Sequence, residues 1–150
     1  MPVSIHITGW VAEMKIDFKF NKLEKTIIEE TTGGDKTLLF MANQARALMK
    51  PYVPELSHVL VDNVRTYVEG GVGIVHYLSP YARFQFGGKV MVSSITGSSW
   101  SHGESKVLTD RPLHYSKGTA TSHWDRAMLV ARKADLTKAV QNYIKLRGGL

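Results

Sequence analysis

The amino-terminal part of the chain alternates apolar and polar side chains with a period of two. From Met14 to Phe20 every second residue is Met, Ile or Phe, and the residues between them are Lys or Asp. This alternation predicts a half-buried strand or an extended arm within residues 1–20. Asn21 and Glu24 then have the spacing of a capping box, which predicts a short helix ending at the Thr-Thr-Gly-Gly of residues 31–34.

Helical spacing of apolar residues follows Asp35, which we expect to cap the helix. The apolar stripe of this helix consists of Leu38, Ala42, Ala45 and Met49. Pro51 ends the pattern, because proline has no N–H to donate within a helix.

A β-hairpin is predicted next. Residues 58–68 are rich in valine, which favours a strand. The Glu-Gly-Gly of residues 69–71 predicts a tight turn, and residues 72–78 return as the second strand. Pro80 favours a single helical turn after the hairpin, since proline is well tolerated at a first helical position.

The last third of the chain combines a polar segment with a long helix. Residues 93–118 are rich in Ser, Gly and His, which predicts an extended loop. Ser122 is expected to cap the helix that begins His-Trp-Asp-Arg-Ala-Met, with Trp124 in the core. Its apolar stripe rotates around the axis after Asp135, which indicates a bend or packing against two different partners.

Together these elements predict a single α+β domain over residues 1–150, with a small antiparallel sheet, a hairpin packed against a long helix, a long polar loop and a C-terminal helix. A chain of 150 residues is long enough to bury its own core. It has no cysteine, which excludes disulfides and thiolate metal sites. The sequence shows neither a signal-peptide pattern nor an apolar run long enough to span a membrane, so we expect neither export nor a membrane partner.

The formal charge of +6 favours polyanionic neighbours, but the basic residues are scattered along the chain. Such diffuse basicity is compatible with nearby DNA and does not indicate sequence-specific reading.

Motifs that would carry chemistry are not found. Residues 32–37 (Thr-Gly-Gly-Asp-Lys-Thr) lack the leading glycine of a phosphate loop, and Asp35 would repel the phosphates. His58 and His76 are expected to face each other across the hairpin, but without the carboxylates of a metal site. Ser99, Ser101 and His102 lie too close together on a loop for triad geometry. We therefore expect no catalytic residues, no metal and no cofactor.

The segment PYARFQF (residues 80–86) leaves three interpretations open. Tyr81 and Phe84 could fill the core beside the hairpin. The same aromatics with Arg83 could stack on bases of single-stranded nucleic acid, or could anchor another protein. Tyr81, Arg83 and Phe84 are thus candidate packing or interface residues, and Trp100 in the polar segment is a candidate partner contact.

In order and spacing, the motifs of this chain resemble those of the small minor capsid, or head–tail joining, proteins of tailed bacteriophages. The matching residues run from Phe40 to Lys133 and comprise Met41-Ala42-Asn43-Gln44, Pro51-Tyr52-Val53-Pro54, Leu60, Pro80-Tyr81-Ala82-Arg83, Gln85, Gly87-Gly88-Lys89-Val90-Met91, Leu113-His114-Tyr115 and Ser122-His123-Trp124-Asp125-Arg126-Ala127-Met128. Relatives have a Thr-Gly step, then Leu-Arg and Ser, where this chain has Ser57-His58, Leu60-Val61 and Asn63. Contacts that this arginine makes in the relatives are therefore not expected in this chain.

The resemblance implies a structural protein of the virion neck, assembled in the cytoplasm of the host bacterium. Implied partners are further copies of the chain in a ring, the connector or stopper on the head side, and tail terminator or tail-tube proteins. Packaged DNA would pass close by without being bound specifically. The rival hypothesis is a small basic nucleic-acid-binding protein that uses its Lys and Arg side chains with the same aromatics.

Overall fold

The computed structural model describes residues 3–8, 12–18, 34–55, 58–79, 81–99 and 103–148, with the backbone alone for the first two ranges. The elements in chain order are β1 (Val3–Thr8), β2 (Ala12–Phe18), α1 (Asp35–Met49), a 3-10 turn (Lys50–Tyr52), α2 (Val59–Asp62), β3 (Val64–Glu69), β4 (Val72–Tyr77), α3 (Ala82–Gly87), β5 (Lys89–Ser93), β6 (Lys106–Pro112) and α4 (Trp124–Gly148). The α+β prediction is confirmed. The helix expected after Asn21 lies outside the described residues.

The larger sheet has four antiparallel strands in the order β1-β2-β4-β3. The alternation that begins at Met14 does form a strand, β2, which pairs with β4 so that Met14 lies opposite Val75. The predicted hairpin forms as β3 and β4, with Glu69 opposite Val72 at its tip. Gly70 and Gly71 have φ angles of 58° and 74°, a conformation that glycine adopts without strain. The sequence did not predict β1, which adds an edge strand beside β2.

α1 follows the predicted stripe with one correction at its start. Asp35 is the first helical residue rather than the cap; Gly34 holds the capping position and supplies no side-chain bond. An acidic side chain in the first turn still stabilises the helix through the helix dipole. Met41, Ala42, Ala45 and Met49 are fully buried, and the helix ends where Pro51 forces the tighter 3-10 turn.

The strand predicted over residues 58–68 begins six residues late. His58 adopts a left-handed backbone conformation, with φ of 58°. Its carbonyl accepts the N–H of Asp62, and the Val59 carbonyl accepts the N–H of Asn63. These bonds close the helical turn α2, so that the valines at 59 and 61 precede the strand. The predicted contact between His58 and His76 was wrong for the same reason.

The extended loop predicted over residues 93–118 contains a strand. β6 pairs with β5 in a separate two-stranded sheet, with Val107 opposite Val92. Thr109 reinforces the pairing by donating its hydroxyl to the Val90 carbonyl over 2.7 Å. The prediction failed because β6 is stabilised by backbone pairing and has almost no buried apolar face for a pattern to reveal. We call residues 89–112 the ribbon.

The core lies between α1, α4 and one face of β4. Trp124 is fully buried, as predicted, and its ring meets Tyr77 of β4 edge-on at 5.3 Å between centroids. Ser122 does not cap α4: the first helical N–H groups, those of Arg126 and Ala127, bond to the His123 carbonyl.

The rotated stripe of α4 does reflect packing on two partners. The first two turns bury Trp124 and Met128, with Trp124 against Tyr77. Residues 130–135 are exposed all round. The C-terminal turns bury Leu136 and Val140, and Tyr143 stacks on Phe40 of α1 with centroids 4.1 Å apart. Because the two partners lie at different angles around the axis, one helix presents two faces.

Candidate interface surfaces

The PYARFQF segment forms the short helix α3, and two of its aromatics face the core. Phe84 and Phe86 are each 6% exposed. The Phe86 ring lies 4.8 Å from Trp124, nearly perpendicular to it. A base-stacking platform carries its aromatics on the open face of a sheet. These rings are buried against neighbouring side chains, so the core interpretation holds for Phe84.

Tyr81 and Arg83 lie on the outside of α3. Tyr81 is 52% exposed and lies at the edge of an apolar groove of about 280 Å³, which Pro54, Val59 and Met91 also line. Arg83 is half-buried, with its guanidinium carbon 4.4 Å above the centre of the Phe84 ring. This cation–π geometry fixes the arginine against the body of the protein. Pro80 and Trp100, the candidate partner contact, lie outside the described residues.

The chain leaves α3 through a joint that several backbone hydrogen bonds hold in place. Gly88 has φ of 72° and closes the helix, since its N–H bonds to the Phe84 carbonyl. β5 starts at the next residue. The Tyr115 hydroxyl donates to the Gln85 carbonyl over 2.7 Å, and the His123 N–H donates to the Phe86 carbonyl over 2.9 Å. These bonds tie α3 to the segment that leads into α4.

The ribbon exposes apolar side chains on both faces. Val107 and Leu108 are adjacent on β6, so they point to opposite sides, and they are 46% and 55% exposed. Ile95, in the turn after β5, is 78% exposed. A lone two-stranded sheet is marginal in water, and exposed apolar groups concentrated on it are typical of a surface that another protein covers. Periodicity could not reveal this surface, because exposure is a property of the fold.

α4 carries most of the excess positive charge. It has six Lys or Arg side chains and two Asp side chains, a net charge of +4 out of the chain's +6. Arg132 pairs with Asp135 on the exposed middle turns, where Val130 is 90% exposed. A charge count over the helix alone, rather than over the whole chain, would have shown this concentration in the sequence.

Two carboxylates differ sharply in their surroundings. Glu55 accepts Lys117 Nζ at 3.2 Å and His58 Nδ1 at 2.7 Å, and the Lys117 ammonium lowers the pKa of Glu55. Asp125 is 3% exposed, and its Oδ1 has no hydrogen-bond partner in the described part of the chain. Burial raises the pKa of Asp125, partly offset by the Arg126 backbone N–H. Burial likewise raises the pKa of Tyr77.

Across the described residues, His, Asp and Glu side chains form no group of three or more that could hold a metal ion. Nor does any helix within the described ranges have the length and apolar character needed to cross a membrane.

Comparison with known proteins identifies the family. The family model described as minor capsid protein matches residues 14–134, which extends beyond the segment that carries the sequence resemblance. Neither the curated proteins nor the solved structures compared with the chain gave a significant match. Since the matched segment includes most of β2, every later strand and the first turns of α4, the chain belongs to the minor capsid protein family of bacteriophages and is a structural component of the virion.

Proposed function

We propose that this minor capsid protein acts at the head–tail interface, where it assembles as a ring between the portal-connector side and the tail and lets DNA pass. The observation that carries the proposal is the ribbon, whose apolar side chains are exposed on both faces. A subunit of a ring makes two different contacts, one with each neighbour, so it needs apolar surface in more than one place.

The distribution of exposed apolar groups supports contacts on several sides. They occur on separate elements: Ile95 and Leu108 on the ribbon, Leu146 on α4, and Tyr81 before α3. Neighbouring copies would cover some of these groups, and connector or tail proteins would cover others. Tyr81 at the groove and Arg83 on the outside of α3 serve in this proposal as interface anchors, and Trp100 serves as a partner contact.

Imaging of intact particles tests the proposal. We expect density for this subunit as a ring on the axis between head and tail, with a fixed number of copies. Subunits spread over the head shell, or confined to the tail tip, would contradict the proposal and leave only the family assignment.

A matched pair of variants links the ribbon to assembly. The double variant Val107→Thr with Leu108→Thr keeps β propensity while removing exposed apolar surface. The free energy of unfolding of its monomer should therefore lie within about 0.5 kcal/mol of the wild-type value. We expect particles made with this variant to incorporate less of the subunit. Val130→Thr on α4 is the control for loss of an exposed apolar group outside the ribbon. If particles incorporated the ribbon variant and the wild-type subunit equally, a role for the ribbon in assembly would be contradicted.

Nucleic-acid binding is kept as a second candidate because of one observation, the net charge of +4 on α4. Concentrated positive charge on one helix attracts phosphates without reading sequence. The salt dependence of DNA binding, discussed below, distinguishes the two candidates.

A further inference from the structure

A cleft at one end of the β3–β4 hairpin is lined by two cations that have no partner in the described part of the chain. Arg46 and Lys50 lie one helical turn apart at the end of α1, and both line an open cleft of about 310 Å³. Within the described residues neither side chain makes an ion pair or a hydrogen bond. Asp62 is the only carboxylate among the described residues that line the cleft, which leaves a net positive charge there.

The remaining lining suits a carboxylate carried on a slim segment. Asn43 is held by a 2.5 Å hydrogen bond from the Thr66 hydroxyl and supplies an amide at the wall. Val53 and Val61 make part of the wall apolar, and the buried Tyr77 lines the cleft from β4. Apolar walls around a few placed polar groups are the usual composition of a binding site, and a low-dielectric wall strengthens the attraction between a carboxylate and the two cations.

The opposite end of the same hairpin carries a free carboxylate. Glu69 is exposed at the tip and, among the described residues, has no ion-pair partner. The two residues after it are Gly70 and Gly71, and a Cβ added at either would meet nothing within 4 Å. The tip is therefore narrow, with a single charged side chain.

The tip and the cleft cannot meet within one molecule. Val64 pairs with Tyr77 at the cleft end of the hairpin, and Glu69 pairs with Val72 at the other end. At about 3.4 Å per residue the five steps between them span about 17 Å. A surface and its complement at opposite ends of one subunit join copies head to tail, which is the geometry of a closed ring or a filament.

We propose that the Glu69 tip of one copy inserts into the Arg46/Lys50 cleft of the next copy, so that a second copy of this chain is the occupant of the cleft. The choice rests on complementarity of charge and shape: one carboxylate on a two-glycine turn faces two cations, and none of the three is paired among the residues that the structure describes. The inference builds on the proposed ring and names the contact that closes it.

Charge reversal tests the contact. Sedimentation velocity over a concentration series should show that Glu69→Lys or Lys50→Glu raises the dissociation constant for self-association about tenfold or more, because each leaves like charges facing each other. Combining Glu69→Lys with Lys50→Glu should recover much of the loss. Asp35→Lys is the matched control, since it reverses another exposed carboxylate that lies on neither the ribbon nor the cleft, and it should leave self-association unchanged. Unaltered melting temperatures establish that the variants are folded.

Cross-linking tests the geometry independently. The chain has no cysteine, so Glu69→Cys with Lys50→Cys provides two unique thiols at opposite ends of the hairpin. A short bismaleimide applied to concentrated protein should give a ladder of trimers and larger species, whereas each single variant stops at dimers. Lys50→Cys with Asp35→Cys is the control pair, because Asp35 is exposed and lies outside the ribbon.

The outcomes separate this contact from the ring. A ladder no stronger than that of the control pair, or charge reversals that leave association unchanged, would overturn the tip-in-cleft contact. If wild-type protein still self-associates and particles still show a ring, the proposed function stands and another surface closes the ring. If particles show no ring, the proposed function is wrong. A ladder of cross-linked species would in that case show that copies associate head to tail in an assembly other than the ring.

Discussion

At the scale of single residues, Gly88 stands where three parts of the chain meet. A Cβ at this position would lie 2.7 Å from Cβ of Ser122, on the approach to α4, and 3.5 Å from the Tyr115 hydroxyl. The backbone also has φ of 72°, which side chains rarely adopt. Glycine is thus required here both by conformation and by space.

We expect Gly88→Ala to lower the free energy of unfolding by about 2–4 kcal/mol, from backbone strain together with overpacking. Two variants serve as controls, measured by urea denaturation. At Gly70 the backbone has φ of 58°, which strains any other residue, but an added Cβ would meet nothing within 4 Å. At Gly87 an added Cβ would also meet nothing, and φ lies in the ordinary range. Gly70→Ala should cost about 1 kcal/mol and Gly87→Ala close to nothing. Equal losses for Gly88→Ala and Gly70→Ala would show that contact with Ser122 is unimportant.

Asp125 makes stability depend on pH in a direction opposite to that of most carboxylates. Burial raises its pKa, so the folded protein holds this proton more tightly than the unfolded chain does. Its contribution to stability is therefore complete below the unfolded pKa, about 3.9, and is lost as pH rises through the raised folded value.

Asp125→Asn should remove that dependence. We expect the free energy of unfolding of the wild type, relative to this variant, to be higher at pH 4 than at pH 7. Asp110→Asn alters an exposed carboxylate and is measured alongside as the control for loss of a carboxylate elsewhere. A wild-type advantage over Asp125→Asn that grows with pH would contradict the assignment.

At the scale of elements, α4 is joined to the body at two places with an exposed stretch between them. Trp124 anchors its start against Tyr77 and Phe86. The stacked rings of Phe40 and Tyr143, inclined by 12°, anchor its end to α1, and the Arg147 guanidinium lies 5.6 Å from the Tyr143 ring. The exposed middle depends on these two anchors for its position.

A double-mutant cycle on Phe40→Ala and Tyr143→Ala should give a coupling energy of about 0.5–1.5 kcal/mol, the value for a stacked aromatic pair. Thermal unfolding of the wild type, both single variants and the double variant measures it. Tyr143→Ala combined with Val130→Ala, whose side chain is 90% exposed, should be additive. A coupling near zero for the aromatic pair would mean that the C-terminal turns of α4 are held elsewhere.

At the scale of the whole molecule, the positive charge is distributed unevenly. α4 carries a net +4 and the other residues together carry +2. In a neck component this charge would attract passing DNA weakly, because exposed cations are screened within about 10 Å at ordinary ionic strength.

We expect the isolated protein to bind duplex DNA negligibly in a gel shift at about 150 mM salt, with weak retention that appears only at low salt. Lys138→Glu with Lys145→Glu should abolish that retention, while Lys36→Glu on α1 should reduce it less. Tight binding by the monomer, with a steep dependence on salt, would support the nucleic-acid-binding candidate and contradict the structural one.

The parts of the fold predicted from sequence are those whose burial repeats with a regular period. Residues 14–18 alternate with the two-residue period of the strand that they form, β2, and the stripe of α1 recurs at helical spacing because it packs on the core. The exceptions have local or backbone causes. His58 in a left-handed conformation starts a helical turn among valines that favour a strand, and β6 is held by hydrogen bonds to β5 rather than by an apolar face.

The candidate interface surfaces likewise include some residues that the sequence indicated and others that it did not. Of the four residues proposed from sequence, Phe84 is in the core, Tyr81 and Arg83 lie outside it, and Trp100 lies outside the described residues. Residue type alone could not separate Phe84 from Tyr81, because both are aromatic and three positions apart. The exposed ribbon and the Arg46/Lys50 cleft were missed, since each depends on groups brought together from distant parts of the chain.

The amino-acid sequence by itself determined the class of fold, the positions of the hairpin and the C-terminal helix, and the family, because local periodicity and the order of motifs are properties of the linear chain. Only the tertiary structure decided which aromatics are buried, where β6 pairs, and that Glu69 lies at the opposite end of one hairpin from Arg46 and Lys50. Exposure and charge pairing depend on which distant residues become neighbours, and folding alone decides that.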